Sequence, residues 1–108
     1  MVLQYNLGAE SFKPVFSEAR KVIVTDLFKS ILLQCQAYAD PMPHYAWSRN
    51  NTVPSGAYKI HTGINLFRNY TTLSIVNISW TDRGIYFCNA WNSKGFQYTE
   101  FEIIVNRK

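Results

Sequence analysis

Apolar and polar residues alternate with a period of two along most of this chain. Ile31, Leu33, Cys35 and Ala37 fall on one side of a run whose other side is Leu32, Gln34 and Gln36. Successive side chains of an extended strand leave opposite faces, so this alternation predicts a half-buried β-strand. The same reading puts Tyr45 and Trp47 on the inward face of a second strand and Leu73 and Ile75 on that of a third. A last strand sets Phe101, Ile103 and Val105 inward against Glu100, Glu102 and Ile104. Turn-forming residues separate these runs: Ala39-Asp40-Pro41-Met42-Pro43, Val53-Pro54-Ser55-Gly56-Ala57 and Asn92-Ser93-Lys94-Gly95. A short strand is predicted over Tyr58-Lys59-Ile60-His61, with Gly63 as the next break and an irregular stretch from Ile64 to Tyr70. No long stretch carries an apolar stripe at helical period, so the chain reads as all-β.

The densest motif is Asp82-Arg83-Gly84-Ile85-Tyr86-Phe87-Cys88. Tyr86 stands two residues before Cys88, which places both on one face of a strand. Cys35 precedes Cys88 by 53 residues, and Trp47 follows Cys35 by 12. With Leu73-Ser74-Ile75-Val76-Asn77-Ile78, Ala90, Asn92 and Gly95, these residues closely resemble the E, F and G region of I-set immunoglobulin domains. The resemblance runs from about Pro14 to Val105. It implies an immunoglobulin-like Greek-key β-sandwich with one inter-sheet disulfide, Cys35 to Cys88, against which Trp47 packs. It also implies a Tyr86 hydroxyl turned back onto the upstream loop and a Gly84 that permits an approach any Cβ would crowd. Asp82 is expected to pair with a basic residue, Arg68 in preference to Lys59. The domain is placed at residues 12–106, with 1–11 as an N-terminal extension or linker. The 25 residues between Trp47 and Leu73 leave room for short C′ and D strands but little for a C″ hairpin, which favours the I-set type.

The 108 residues fit one domain of this kind and no second core. A disulfide points to an oxidising compartment, whereas a reduced pair would suit the intracellular immunoglobulin domains of muscle filament proteins. Three sequons, at Asn50, Asn69 and Asn77, favour the secreted reading as candidate N-glycosylation sites. The formal charge of +4 comes from scattered basic residues, Arg20-Lys21 and Arg107-Lys108 being the only adjacent pairs. That pattern argues against nucleic acid and leaves glycosaminoglycan contact as a weak option. His44 and His61 have no acidic or cysteine partner at ligand or catalytic spacing, and both cysteines belong to the core. No metal, cofactor or enzyme activity is therefore expected. No run of 18 apolar residues could span a membrane, so any anchor is expected outside these residues.

With Tyr86, Cys88 and Ala90 inward, Ile85, Phe87, Asn89 and Trp91 face outward on strand F. Large aromatics on the outer face of a C, F, G sheet suit a protein interface. Phe96 or Tyr98 would shield them if that face had no partner. The chain is thus expected to be an extracellular protein-binding domain of a cell-surface adhesion molecule or receptor, homophilic or heterophilic. The alternatives are an elastic muscle-filament domain and a passive ectodomain spacer. A second candidate surface, the loops Ala39 to Pro43 and Asn92 to Gly95, reads as built for closure.

Overall fold

The structure, a computed structural model, describes residues 10–49, 58–65 and 68–107. The turn expected at Val53 to Ala57, the C′ strand, Asn50 and most of the N-terminal extension lie outside these residues. Among the described residues the strands are β1 (Phe12–Val15), β2 (Arg20–Asp26), β3 (Ile31–Cys35), β4 (Tyr38–Asp40) and β5 (His44–Ser48). They continue as β6 (Tyr58–Asn65), β7 (Arg68–Ile75), β8 (Gly84–Asn92) and β9 (Gly95–Asn106). One sheet has the order β2-β9-β8-β5 and the other β3-β7-β6, while β1 pairs with β4. All pairings are antiparallel except β2 with β9. In immunoglobulin lettering, β5, β8 and β9 are C, F and G.

Most of the inward positions read from the alternation form the core, with Ile31 and Tyr45 partly buried against it. Leu33, Cys35, Trp47, Leu73, Ile75, Ile78, Tyr86, Cys88, Phe101, Ile103 and Val105 are buried together. The Cys35–Cys88 disulfide joins the two sheets across this layer. Burying an indole N–H requires an acceptor. Thr71, a buried residue of β7, supplies it, with Trp47 Nε1 donating to Thr71 Oγ1 at 2.9 Å.

The corner between β7 and β8 is held by polar contacts. Tyr86 Oη donates to the Asp82 carbonyl at 2.7 Å. The Ser79 N–H donates to Asp82 Oδ2 at 2.7 Å, capping a 3-10 turn over Trp80–Asp82. Arg49 lays its guanidinium 4.9 Å from the Tyr86 ring centroid and donates to the carbonyls of Thr81 and Arg83. Arg83 and Arg107 stack on Trp80, at 4.4 and 4.6 Å from its ring centroid.

Three details depart from the sequence reading. Gly63 does not break a strand: β6 runs through it and pairs antiparallel with β7, Asn65 opposite Arg68. Gly63 sits opposite Tyr70, and a Cβ there would stand 2.7 Å from Tyr70 Oη, so the glycine makes room for a neighbouring ring. Arg68 is not the partner of Asp82. It opens β7, a strand length away from that corner, with its guanidinium 3.8 Å from the Tyr38 ring centroid. Gly84 is not crowded either, since the nearest atom a Cβ would meet is Arg49 Nη2 at 3.7 Å. Its φ of 132° is what requires glycine.

Candidate protein-binding face

Cross-strand register sets the outer face of the β2-β9-β8-β5 sheet in rows. His44, Trp91 and Phe96 form the first row, and Ala46, Asn89 and Tyr98 the second. Ser48, Phe87, Glu100 and Arg20 form the third, and Ile85, Glu102 and Val22 the fourth. The upper rows are aromatic. Trp91 and His44 rings lie 5.7 Å apart, Phe96 and Tyr98 6.2 Å, and Phe87 meets Tyr98 edge-on at 5.6 Å. The lower rows are ionic, with Arg20 Nε 3.2 Å from Glu100 Oε1 and Nη1 3.8 Å from Glu102 Oε1.

The four residues singled out by alternation differ in availability. Trp91 is 40 % exposed, whereas Ile85, Phe87 and Asn89 are half-buried. Asn89 has committed its amide N–H donors, since Nδ2 donates to the Ala46 carbonyl and to Ser48 Oγ, both at 3.1 Å. Phe96 and Tyr98, expected only as shields, are 53 % and 43 % exposed. Tyr98 covers an edge of Phe87, but both rings extend the open patch instead of closing it. Their outward placement was available in the sequence: with Thr99 and Phe101 inward, period two sends Phe96 and Tyr98 out. His44 joins only through the register of β5, which alternation within one strand does not supply.

Beside Trp91 is a shallow recess of about 390 Å³, lined by Pro41, Met42, His44, Trp91, Asn92 and Ser93. The loops around it are tied together. Asn92 Nδ2 donates to the carbonyls of Phe12 and Pro41 at 2.9 and 3.0 Å, and Asn92 Oδ1 accepts from the Lys94 N–H at 2.8 Å. Gly95, at φ 152°, closes the turn with Asn92 opposite. The patch therefore rests on a braced rim.

Behind it, Tyr45 points between the sheets, where its Oη accepts from the Ala37 N–H at 3.0 Å and donates to the Asn69 carbonyl at 3.2 Å. Burial pushes its phenol above the usual range, against smaller opposing effects of the Ala37 bond and the Arg68 charge. Of the sequon residues, Asn69 is half-buried with Nδ2 donating to the Pro43 carbonyl at 2.6 Å, and Asn77 is exposed at φ 54°. His44 and His61 stand on different sheets. Among the described residues no three His, Cys, Asp or Glu side chains group as metal ligands, and no helix is long and apolar enough to cross a membrane.

A two-sheet Greek-key sandwich, cross-linked beside a buried tryptophan and cornered by a tyrosine, defines the immunoglobulin class of domains. The sequence model described as "Immunoglobulin domain" matches residues 13–92, and the chain belongs to that family. It is similar to the neural cell adhesion molecule L1-like protein of Mus musculus, with 36 % identity over 77 residues, covering 70 % of this chain and 6 % of the relative. It is also similar to cell adhesion molecule 3 of Xenopus laevis, with 38 % identity across 68 % of this chain and 17 % of that protein. Vascular endothelial growth factor receptor 2 of Danio rerio is 32 % identical across 81 % of this chain and 6 % of the receptor. The chain thus spans a small fraction of the length of these relatives. Among solved structures, the complex of Dpr2 Ig1-Ig2 with DIP-Theta Ig1-Ig3 superposes with a TM-score of 0.79 at 24 % identity, over 89 % of this chain and 33 % of that one. A three-domain titin fragment superposes with a TM-score of 0.74 at 22 % identity, over 90 % of this chain and 34 % of the fragment. At these identities the structural matches establish the fold alone.

Proposed function

We propose that this chain is an extracellular, protein-binding immunoglobulin domain of a cell-surface adhesion molecule or receptor, acting by surface complementarity without catalysis. The observation that carries the reading is the open aromatic group of Trp91, Phe96 and Tyr98 on one braced sheet face. Such rings bury much apolar area at little conformational cost, which makes them effective interface anchors. The relatives support the cell-surface setting, and the Cys35–Cys88 disulfide suits an oxidising compartment. The binding group is centred on Trp91, with Ile85, Phe87 and Asn89 as its supporting layer, and either a homophilic or a heterophilic protein partner would satisfy it. Of the sequons, exposed Asn77 is the favoured glycan acceptor.

The test is binding to cells or to an ectodomain array, with captured partners then measured in solution. Trp91→Ala and Phe96→Ala should each weaken binding by at least about 1 kcal/mol while leaving the fold intact. Unchanged binding by both folded variants would remove this face as the site.

A further inference from the structure

The sheet that carries the aromatic patch ends in β2, an edge strand of unusual composition. Its residues Arg20-Lys21-Val22-Ile23-Val24-Thr25-Asp26 contain no proline or glycine, and they pair with β9 in unbroken register. Among the described residues no strand pairs with its other edge. Edges of this kind are normally blunted by a central charge, a proline or a bulge. Here the centre is Val-Ile-Val.

The direction of the free backbone groups follows from one bond. The Glu100 N–H donates to the Ala19 carbonyl at 3.0 Å. By alternation, Lys21, Ile23 and Thr25 direct their backbone groups at β9, so Val22 and Val24 direct theirs to the open edge. The Arg20, Val22, Val24 and Asp26 side chains share the outer sheet face, where Val22 and Val24 are 54 % and 60 % exposed. Ile104, pairing with Val24, is also exposed on that face.

Read antiparallel to itself about Ile23, this strand is its own complement. Val22 falls opposite Val24 of a second copy, and Arg20 falls opposite Asp26. The parity is right as well, because Val22 and Val24 then form the closely bonded pairs, exchanging two hydrogen bonds each. Both ends match an arginine with a carboxylate that no cation pairs with among the described residues. The reverse, parallel alignment would oppose like charges.

We propose that β2 is a homophilic edge: two copies of this chain join antiparallel through β2 about a two-fold axis centred on Ile23, making one continuous eight-stranded sheet. The occupant is a second copy because the charge pattern is self-complementary. The contact is distinct from the aromatic patch and leaves it open. A single strand pair buries less than the area of a standard stable complex, so association is weak, with a dissociation constant between about 10 μM and 1 mM. Contact of that strength acts when many copies are arrayed side by side.

The experiment is sedimentation of the full 108-residue chain up to about 1 mM, with amide hydrogen exchange read in parallel. The expected result is a salt-weakened dimer in which the Val22 and Val24 amides exchange more slowly as concentration rises, while those of Ile23 and Thr25 do not change. Val24→Pro removes an N–H that β9 does not use, so the folded variant should lose dimerisation by at least tenfold. Asp26→Arg and Arg20→Asp should each be monomeric alone and should dimerise when mixed, because the mixture restores both end pairs. A wild-type chain that stays monomeric overturns the proposal. So does a dimer that survives Val24→Pro, or one that Trp91→Ala abolishes; the last outcome would assign self-association to the aromatic face.

Discussion

The two ends of β8 use aromatic residues in opposite ways. At the Gly84 end every large ring of the corner is covered: Tyr86 is buried with its hydroxyl on the Asp82 carbonyl, and Trp80 lies under the guanidiniums of Arg83 and Arg107. At the Asn92 end, Trp91, Phe96 and Tyr98 stand open, and among the described residues no cation lies over any of them. The available chemistry is similar at both ends, since Lys94 is near one as Arg83 is near the other. What differs is that the fold covers the rings at one end and leaves them exposed at the other.

That contrast can be broken first at the covered end. Tyr86→Ala removes a fully buried ring and should lower stability by about 3–5 kcal/mol, read from urea denaturation. Tyr86→Phe isolates the hydroxyl and should cost about 1–2 kcal/mol, because the Asp82 carbonyl loses its donor. Replacing both Arg83 and Arg107 by alanine should cost roughly 0.5–1 kcal/mol by uncovering Trp80, and should red-shift its fluorescence as water reaches the indole. At the open end Trp91→Ala should change stability by less than about 0.5 kcal/mol by the same denaturation measurement. If Trp91→Ala destabilised as much as Tyr86→Phe, the two ends would not differ in the way described.

The smallest effect expected is a pH slope. The Tyr45 phenol is pushed up in the folded chain, so the folded state keeps its proton where the unfolded chain has begun to release it. Its contribution is complete below the ordinary tyrosine pKa of about 10 and is lost as pH rises through the folded value. Thermal melts of wild type and Tyr45→Phe should therefore differ in slope only on the alkaline side, with the wild type falling faster.

The inward half of the molecule could be read from the sequence because burial imposes period two, and one slip would expose the whole set. Leu33, Cys35, Trp47, Tyr86 and Phe101 stand where alternation put them. Gly63 misled because glycine serves equally as a turn former and as space beneath a ring, and only the opposite strand's Tyr70 decides which. Arg68 misled because choosing a partner for Asp82 requires knowing which end of β7 is near it. For the outer face, alternation set Trp91 and Asn89 outward alike but could not show that the amide N–H donors of Asn89 go to Ala46 and Ser48 on a neighbouring strand. Contacts made across strands carry that information, and no single segment contains them.

The parallel pairing of β2 with β9, together with the Cys35–Cys88 bond, also settles how the domain bears tension. Tension applied between the start of β2 and the end of β9 would load that ladder lengthwise, so its hydrogen bonds would share the force and not open one by one. Should that ladder part, the 53-residue separation between the cysteines stays closed, withholding about 180 Å of slack chain. The bond thus caps how far the domain could lengthen.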